Sequence, residues 1–299
     1  MLRGPGLAAL LLASASLSWG GSVYVSHDVN QNGYFGTIDL TTGQYTAIST
    51  NAPGSVSPGI FNGFNFNNGT LYGNAQTNSQ TQTLWTLNQP TPGFVCTVGT
   101  SACNILGTTP NPYVGGSGGM PNGAFYGLAQ VGNNEHLFIQ NYSTGVGTEI
   151  GDTGLGFNFF YANTAMAGDG TNLFLTASQH FGINFDKLYG INTSTGAATE
   201  IANVTGLGSG QRIWSMFFDT GTMYAFVSEY GGQNLKLETL NTSTGALTLV
   251  LDLGSPGLGD ITAAAVNPGS DTPEPATFGL IGGGLAGLIA LRRRRNARQ

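Results

Sequence analysis

Charge is what this chain lacks most. Only 8% of its 299 residues are Asp, Glu, Lys or Arg. Between residues 22 and 271 the cations reduce to Lys187, Arg212 and Lys236, set against fourteen carboxylates, a net charge of −11. Such a surface repels polyanions, so nucleic acid and anionic lipid are excluded as partners of this stretch. Solubility alone accounts for the acidity, without a cation-binding role.

Cysteine is nearly absent too. Cys96 and Cys103 are the only two, in Cys96-Thr-Val-Gly-Thr-Ser-Ala-Cys103. Their spacing is not Cys-x-x-Cys, and no further ligands for a zinc site lie nearby. The simple reading is a disulfide closing a small loop, for about 2–3 kcal/mol in a chain-entropy picture. Familiar catalytic arrangements are also missing. His27, His136 and His180 show no His-Glu-x-x-His spacing, and His136 beside Glu135 reads as a solvated strand edge. No Gly-x-Ser-x-Gly elbow occurs in an α/β context; Gly206-Leu-Gly-Ser209-Gly210 is a turn-like cluster. Gly168-Asp169-Gly-Thr-Asn172 lacks the dense oxygen alternation of a calcium loop and reads as a β-turn. No metal and no cofactor are expected.

Glycine is abundant instead, at 48 residues. The apolar pattern around it is orderly. Four segments read as strand, Thr-Gly turn, strand, with turns at Gly43, Gly145, Gly196 and Gly245. The third, for example, runs Leu188-Tyr-Gly-Ile-Asn-Thr-Ser-Thr-Gly196-Ala-Ala-Thr-Glu-Ile201. Gly145 to Gly196 is 51 residues, Gly196 to Gly245 is 49, and Gly43 to Gly145 is 102. The implied fifth turn falls near residue 94, after Gln89-Pro-Thr-Pro-Gly93. Asn192 and Asn241 stand in Asn-x-Ser/Thr sequons, but at the same place before the turn, which points to turn chemistry.

A fifty-residue period built of short strands reads as a β-propeller. The fold expected over 22–268 is all-β, with about five four-stranded blades. A sixth remains open if Cys96 to Gly123 hides one. A two-sheet sandwich or a β-solenoid is the alternative. Ser22–Ser26 at the start and Ile261–Val266 at the end can share a blade and close the ring, which removes a free sheet edge. Pro110 to Pro121, with Gly115-Gly-Ser-Gly-Gly119, reads as a surface loop between the second and third blades. The repeat resembles secreted bacterial propellers of the form Leu-Tyr-x-Ile-x-x-x-Thr-Gly. Five-bladed propellers also serve glycosidases, which need paired carboxylates at the funnel. The expected opening strands, such as Thr164–Gly168 and Ser215–Phe218, carry no acid, so no enzymatic activity is expected.

The two ends read as targeting segments. Arg3, the apolar Leu7–Leu12 and Ala13-Ser14-Ala15 make a secretory signal peptide over 1–21. At the other end Pro273-Glu274-Pro275 sits in a linker over 269–275, followed by an uncharged stretch, Ala276 to Leu291. As a helix that stretch rises about 24 Å, enough to span a membrane with arginine snorkelling. Arg292, Arg293, Arg294 and Arg295 then fix the tail, 292–299, on the cytoplasmic side. This order of parts resembles the PEP-CTERM sorting signal of Gram-negative bacteria. The resemblance implies export, a membrane-anchored precursor and processing by an exosortase. It also implies a final place at the cell surface or in the extracellular matrix, alongside exopolysaccharide.

Overall fold

The computed structural model describes residues 21–29, 32–49, 61–78, 81–87, 105–109, 114–143, 147–156, 164–178, 186–254 and 257–267. The chain divides into two units, 1–268 and 269–299, and the described residues all belong to the first. The signal peptide, both cysteines, Gly145, the Pro-Glu-Pro motif, the apolar stretch and the arginine tail lie outside the described residues. Among the described residues no helix is long and apolar enough to cross a membrane.

Among the described residues, twenty strands form five four-stranded antiparallel sheets. Blade 1 joins the two ends of the ring: β20 (Asp260–Val266), β1 (Ser22–Val29), β2 (Asn32–Asp39) and β3 (Tyr45–Ser49), in that order. Val23 pairs with Val266, so the first and last strands close the circle as the sequence suggests. Blade 2 is β4 (Phe61–Asn67), β5 (Thr70–Asn78), β6 (Thr81–Leu87) and β7 (Ile105–Thr109). Blade 3 is β8 (Val114–Gly119), β9 (Phe125–Val131), β10 (Asn134–Gln140) and β11 (Gly147–Gly156). Blade 4 is β12 (Thr164–Gly168), β13 (Leu173–Ser178), β14 (Asp186–Ile191) and β15 (Ala198–Asn203). Blade 5 is β16 (Arg212–Asp219), β17 (Thr222–Glu229), β18 (Gln233–Leu240) and β19 (Leu247–Gly254). The innermost strands touch in a closed circuit, β20, β4, β8, β12, β16 and back to β20.

This is a five-bladed β-propeller, and it corrects the reading of 110–121. Val114–Gly119 is the innermost strand of blade 3, and the Phe125 strand is second. Among the described residues the 96–123 region supplies β7 and β8 of the five blades and no sixth blade. The glycines that suggested a loop are there because neighbouring inner strands approach closely. A Cβ at Gly118 would stand 1.9 Å from the Met166 carbonyl oxygen of β12, and one at Gly63 of β4 would stand 2.1 Å from that of Ser117. Only glycine admits two backbones at that distance.

Four seams between blades hold apolar clusters made by both neighbours. Phe226 and Leu237 meet Val25 and Ile261 across blades 5 and 1. Phe35 and Ala263 meet Phe61 and Phe64 across blades 1 and 2. Leu128 and Leu137 meet Met166 and Leu175 across blades 3 and 4. Leu188 meets Ile213 and Met216 across blades 4 and 5. Burying such chains contributes roughly 1.5–3 kcal/mol each relative to exposure.

Candidate functional site

The ring has two ends. Ser22, Val266 and Asp39 lie together at one of them, with the turns that follow the first and third strands of each blade. This is the turn end, from which the chain continues toward the tail. The opposite loop end carries the connections between second and third strands and from blade to blade. Its described parts are 131–134, 204–211, 229–233 and 257–259.

The repeat glycines sit at the turn end. Gly43, Gly196 and Gly245 have φ of 73, 82 and 70°, left-handed values that favour glycine. Each also touches the outermost strand of the preceding blade. A Cβ on Gly196 would lie 2.4 Å from the Gly151 carbonyl oxygen, and one on Gly245 2.5 Å from that of Asn203. On Gly43 it would lie 2.5 Å from Leu253. The backbone of Thr205 bridges the same junction, donating to the Gly245 carbonyl at 3.0 Å. The Thr-Gly turn is therefore both a hairpin and a contact between blades. Four residues before each glycine, Asx side chains order the turn. Asn192 Oδ1 accepts from the Ser194 and Thr195 amides at 2.9 and 3.1 Å, and Asn241 does the same for Ser243 and Thr244 at 2.9 and 3.0 Å. Asp39 accepts from Thr41 and Thr42 at 2.8 Å each, and these amides hold its pKa below the usual value. Asp169 likewise accepts from Thr171 and Asn172, at 2.8 and 2.6 Å. These are the turn roles that spacing suggests for these positions.

The loop end of blades 4, 5 and 1 holds two buried acids. Asp260, at the start of β20, accepts from the Gly232 and Gly231 amides at 2.8 and 3.1 Å and from the Ser228 hydroxyl at 3.3 Å. Asp186, at the start of β14, accepts from the Ile213 amide at 3.0 Å. Burial pushes Asp186 up to about 6, against the pull of that amide and of Arg212. Each acid fastens one blade to the next. Beside them Trp214 donates its indole N–H to the Ser228 carbonyl at 3.1 Å. Tyr230 stands above it, 77% exposed, with ring centres 6.2 Å apart. Among the described residues no group of three or more His, Cys, Asp and Glu is placed to hold a metal.

Sequence reasoning missed Asp260, because β20 begins one residue before the strand it recognised. It also missed Asp186 and Glu135. These two share a repeat position, ten residues before the Thr-Gly glycine, and that shared spacing could have found them. Glu135 is buried with neither oxygen partnered, and burial raises it to about 7. His136 points the other way and meets Glu149 at 2.6 Å across β10 and β11. His27 is buried, its Nε2 3.1 Å from the Tyr45 hydroxyl, and burial lowers it to about 4.

Residues 271–295 match the PEP-CTERM protein-sorting motif. The chain carries a PEP-CTERM sorting motif at its C-terminus and a five-bladed propeller body. The matched residues include Pro273-Glu274-Pro275 and Arg292–Arg295. Proteins with this motif are exported and processed by an exosortase at the membrane. No curated protein sequence matches the chain. Among solved structures, a chain of a nidogen/laminin complex aligns over 83% of this chain and 98% of its own, with TM-score 0.51 and 8% identity. TolB from Acinetobacter baumannii aligns over 78% of this chain but 53% of its own, with TM-score 0.43 and 11% identity. A GH43 glycoside hydrolase aligns over 79% and 52%, with TM-score 0.49 and 13% identity. These likenesses concern the fold alone.

Proposed function

We propose that this PEP-CTERM protein is a non-enzymatic component of the cell surface or extracellular matrix, and that its propeller contacts neutral polysaccharide at the loop end. Residues 1–21 direct export. The apolar stretch over 276–291 holds the precursor in the inner membrane, and processing near Pro273-Glu274-Pro275 releases the body over 22–268. The observation that carries the reading is the sorting motif over 271–295, attached to a ring whose described loop end offers an aromatic face. Tyr230 over Trp214 presents a ring face that suits the apolar side of a sugar. The net charge of −11 between residues 22 and 271 disfavours an anionic polymer and leaves a neutral one as the better partner.

The acids support a non-catalytic reading. A glycosidase needs one carboxyl to hold a proton and another to stay free as base or nucleophile. Asp186 and Asp260 are both engaged with backbone amides of neighbouring blades. The mature protein should bind an uncharged polysaccharide in a retention assay, release no reducing ends, and lose binding about tenfold in Tyr230→Ala. Retention unchanged by that substitution would exclude the Tyr230 face. Absence of any retention would leave a purely structural matrix component. Reducing-end release abolished in Asp186→Asn would instead establish a glycoside hydrolase or lyase. Separately, replacing Pro273-Glu274-Pro275 with alanines should keep the precursor at full size in the membrane.

A further inference from the structure

The seam between blades 2 and 3 is built unlike the other four. Among the described residues no apolar cluster joins these two blades; Phe138 and Ala129 of blade 3 form a small group without a blade 2 member. Polar contacts join them, together with one aromatic pair, Tyr72 and Tyr142, whose ring centres lie 4.2 Å apart. Asn65 of β4 donates to the Ala124 carbonyl at 2.9 Å and to the Tyr142 hydroxyl at 2.7 Å. Tyr142 in turn donates to the Gly123 carbonyl at 2.5 Å.

Deeper in the same seam, three buried side chains meet around Gly127 of β9. A Cβ placed there would lie 3.4 Å from Asn74 Nδ2, 3.6 Å from Gln140 Nε2 and 3.7 Å from Ser117 Cβ. All three residues are buried: Asn74 is 0% exposed, Ser117 4% and Gln140 5%. Asn74 Nδ2 and Oδ1, Ser117 Oγ and Gln140 Oε1 have no hydrogen-bond partner within the protein. Leaving a buried polar group unsatisfied costs about 1–3 kcal/mol. Four such atoms in one place require an occupant.

The repeat shows which of these polar positions are particular to this seam. Gln140 stands five residues before a Thr-Gly glycine, where the other blades place buried Ile38, Ile191 and Leu240. Asn74 follows Leu71-Tyr72-Gly73, and the corresponding residues are buried Leu128 and Phe226 in blades 3 and 5 but buried Ser26 and Thr176 in blades 1 and 4. Ser117 lies opposite Gly127, as Met166 lies opposite Leu175 and Met216 opposite Ala225. Two positions that are apolar elsewhere, those of Gln140 and Ser117, are polar here, and they converge with Asn74.

We propose that the Gly127 notch is a binding site for buried water, and that this hydrated seam is where the ring opens first. The chemistry selects the occupant. The orphaned atoms are uncharged and include both donors and acceptors, so an ion is disfavoured. The space beside Gly127 admits a methyl-sized group at ordinary van der Waals distances. Each orphaned atom is closed to solvent, so a sugar has no path in. A water that donates to Asn74 Oδ1 and Gln140 Oε1 and accepts from Asn74 Nδ2 and Ser117 satisfies the set. Opening there removes less apolar contact than opening a seam filled by Phe226 or Leu137.

Two measurements on the mature protein test this. A crystal structure at high resolution should show ordered water within hydrogen-bond reach of Asn74, Ser117 and Gln140. A notch closed by side chains that partner one another, or filled by an ion, would overturn the site. Native-state hydrogen exchange should show the β8 and β9 amides exchanging through a lower-energy opening than those of β16 and β17. Asn74→Leu with Gln140→Ile should slow exchange at β8 and β9 by about tenfold or more. Exchange that begins at the β1–β20 closure, or a folded double variant with unchanged protection at β8, would overturn the hydrated seam as the opening point.

Discussion

The seam between blades 5 and 1 and the seam between blades 2 and 3 do the same job by different means. The first packs blade 5 against blade 1, the sheet in which β1 and β20 close the described ring. It does so with Phe226, Leu237, Val25 and Ile261, all fully buried, around the β1–β20 ladder. The second joins consecutive segments of chain, which covalent continuity already keeps near each other. It has hydrogen bonds through Asn65 and Tyr142 and a polar notch at Gly127.

That contrast can be broken by mutation. Phe226→Ala should cost about 3–5 kcal/mol, read as a drop in the urea midpoint, whereas Asn74→Ala should cost far less or raise it. Equal losses at the two sites would remove the distinction between the seams. Gly196→Ala should cost about 1–3 kcal/mol, because it strains a left-handed turn and pushes a Cβ into the Gly151 backbone. If Gly196→Ala is neutral, the turn does not serve as a contact between blades.

The seam between blades 3 and 4 offers a third variant, apolar but with one buried acid. Glu135 shares a face of β10 with Leu137, which packs into that seam. Its folded pKa of about 7 lies above the ordinary glutamate value of 4.5, because burial disfavours the charged form. The folded state therefore holds a proton that the unfolded chain releases, and stability falls as pH rises from about 4.5 to 7. Glu135→Gln should be indistinguishable from the parent at pH 4 and more stable by roughly 2–3 kcal/mol at pH 8. A constant offset at both pH values would mean that the carboxyl is not the cause. His27 works in the opposite direction, since its lowered pKa makes stability rise with pH between about 4 and 6.5. The smallest effect belongs to the rim. Lys187 meets Glu200 at 2.6 Å on the exposed outer strands, and Lys187→Ala should leave the urea midpoint unchanged.

How much of this was legible depended on whether the signal was local. The Thr-Gly turns were, because a left-handed residue and an Asx cap are decided by four or five neighbours. The shared blade was legible too, since Val23–Val25 and Ile261–Val266 each lacked a partner nearby. The inner strand Val114–Gly119 was not. In sequence, Gly-Gly-Ser-Gly-Gly carries turn chemistry, and only the presence of β4 and β12 on either side turns the missing side chains into a requirement. The buried acids hid for the same reason. Asp186 and Asp260 look like ordinary polar residues at strand ends until the amides of Ile213 and Gly232 arrive from another blade.

By itself the sequence determined the repeat length, the all-β class, the closure of the ring by its own ends and the sorting motif over 271–295. Each of these follows from local periodicity, turn preference or a short ordered motif. Tertiary structure decided which strand lies innermost, which glycines are held by close approach, and which seam is polar. Those outcomes depend on what a neighbouring blade brings within a few ångströms, and no residue carries that information about its neighbour.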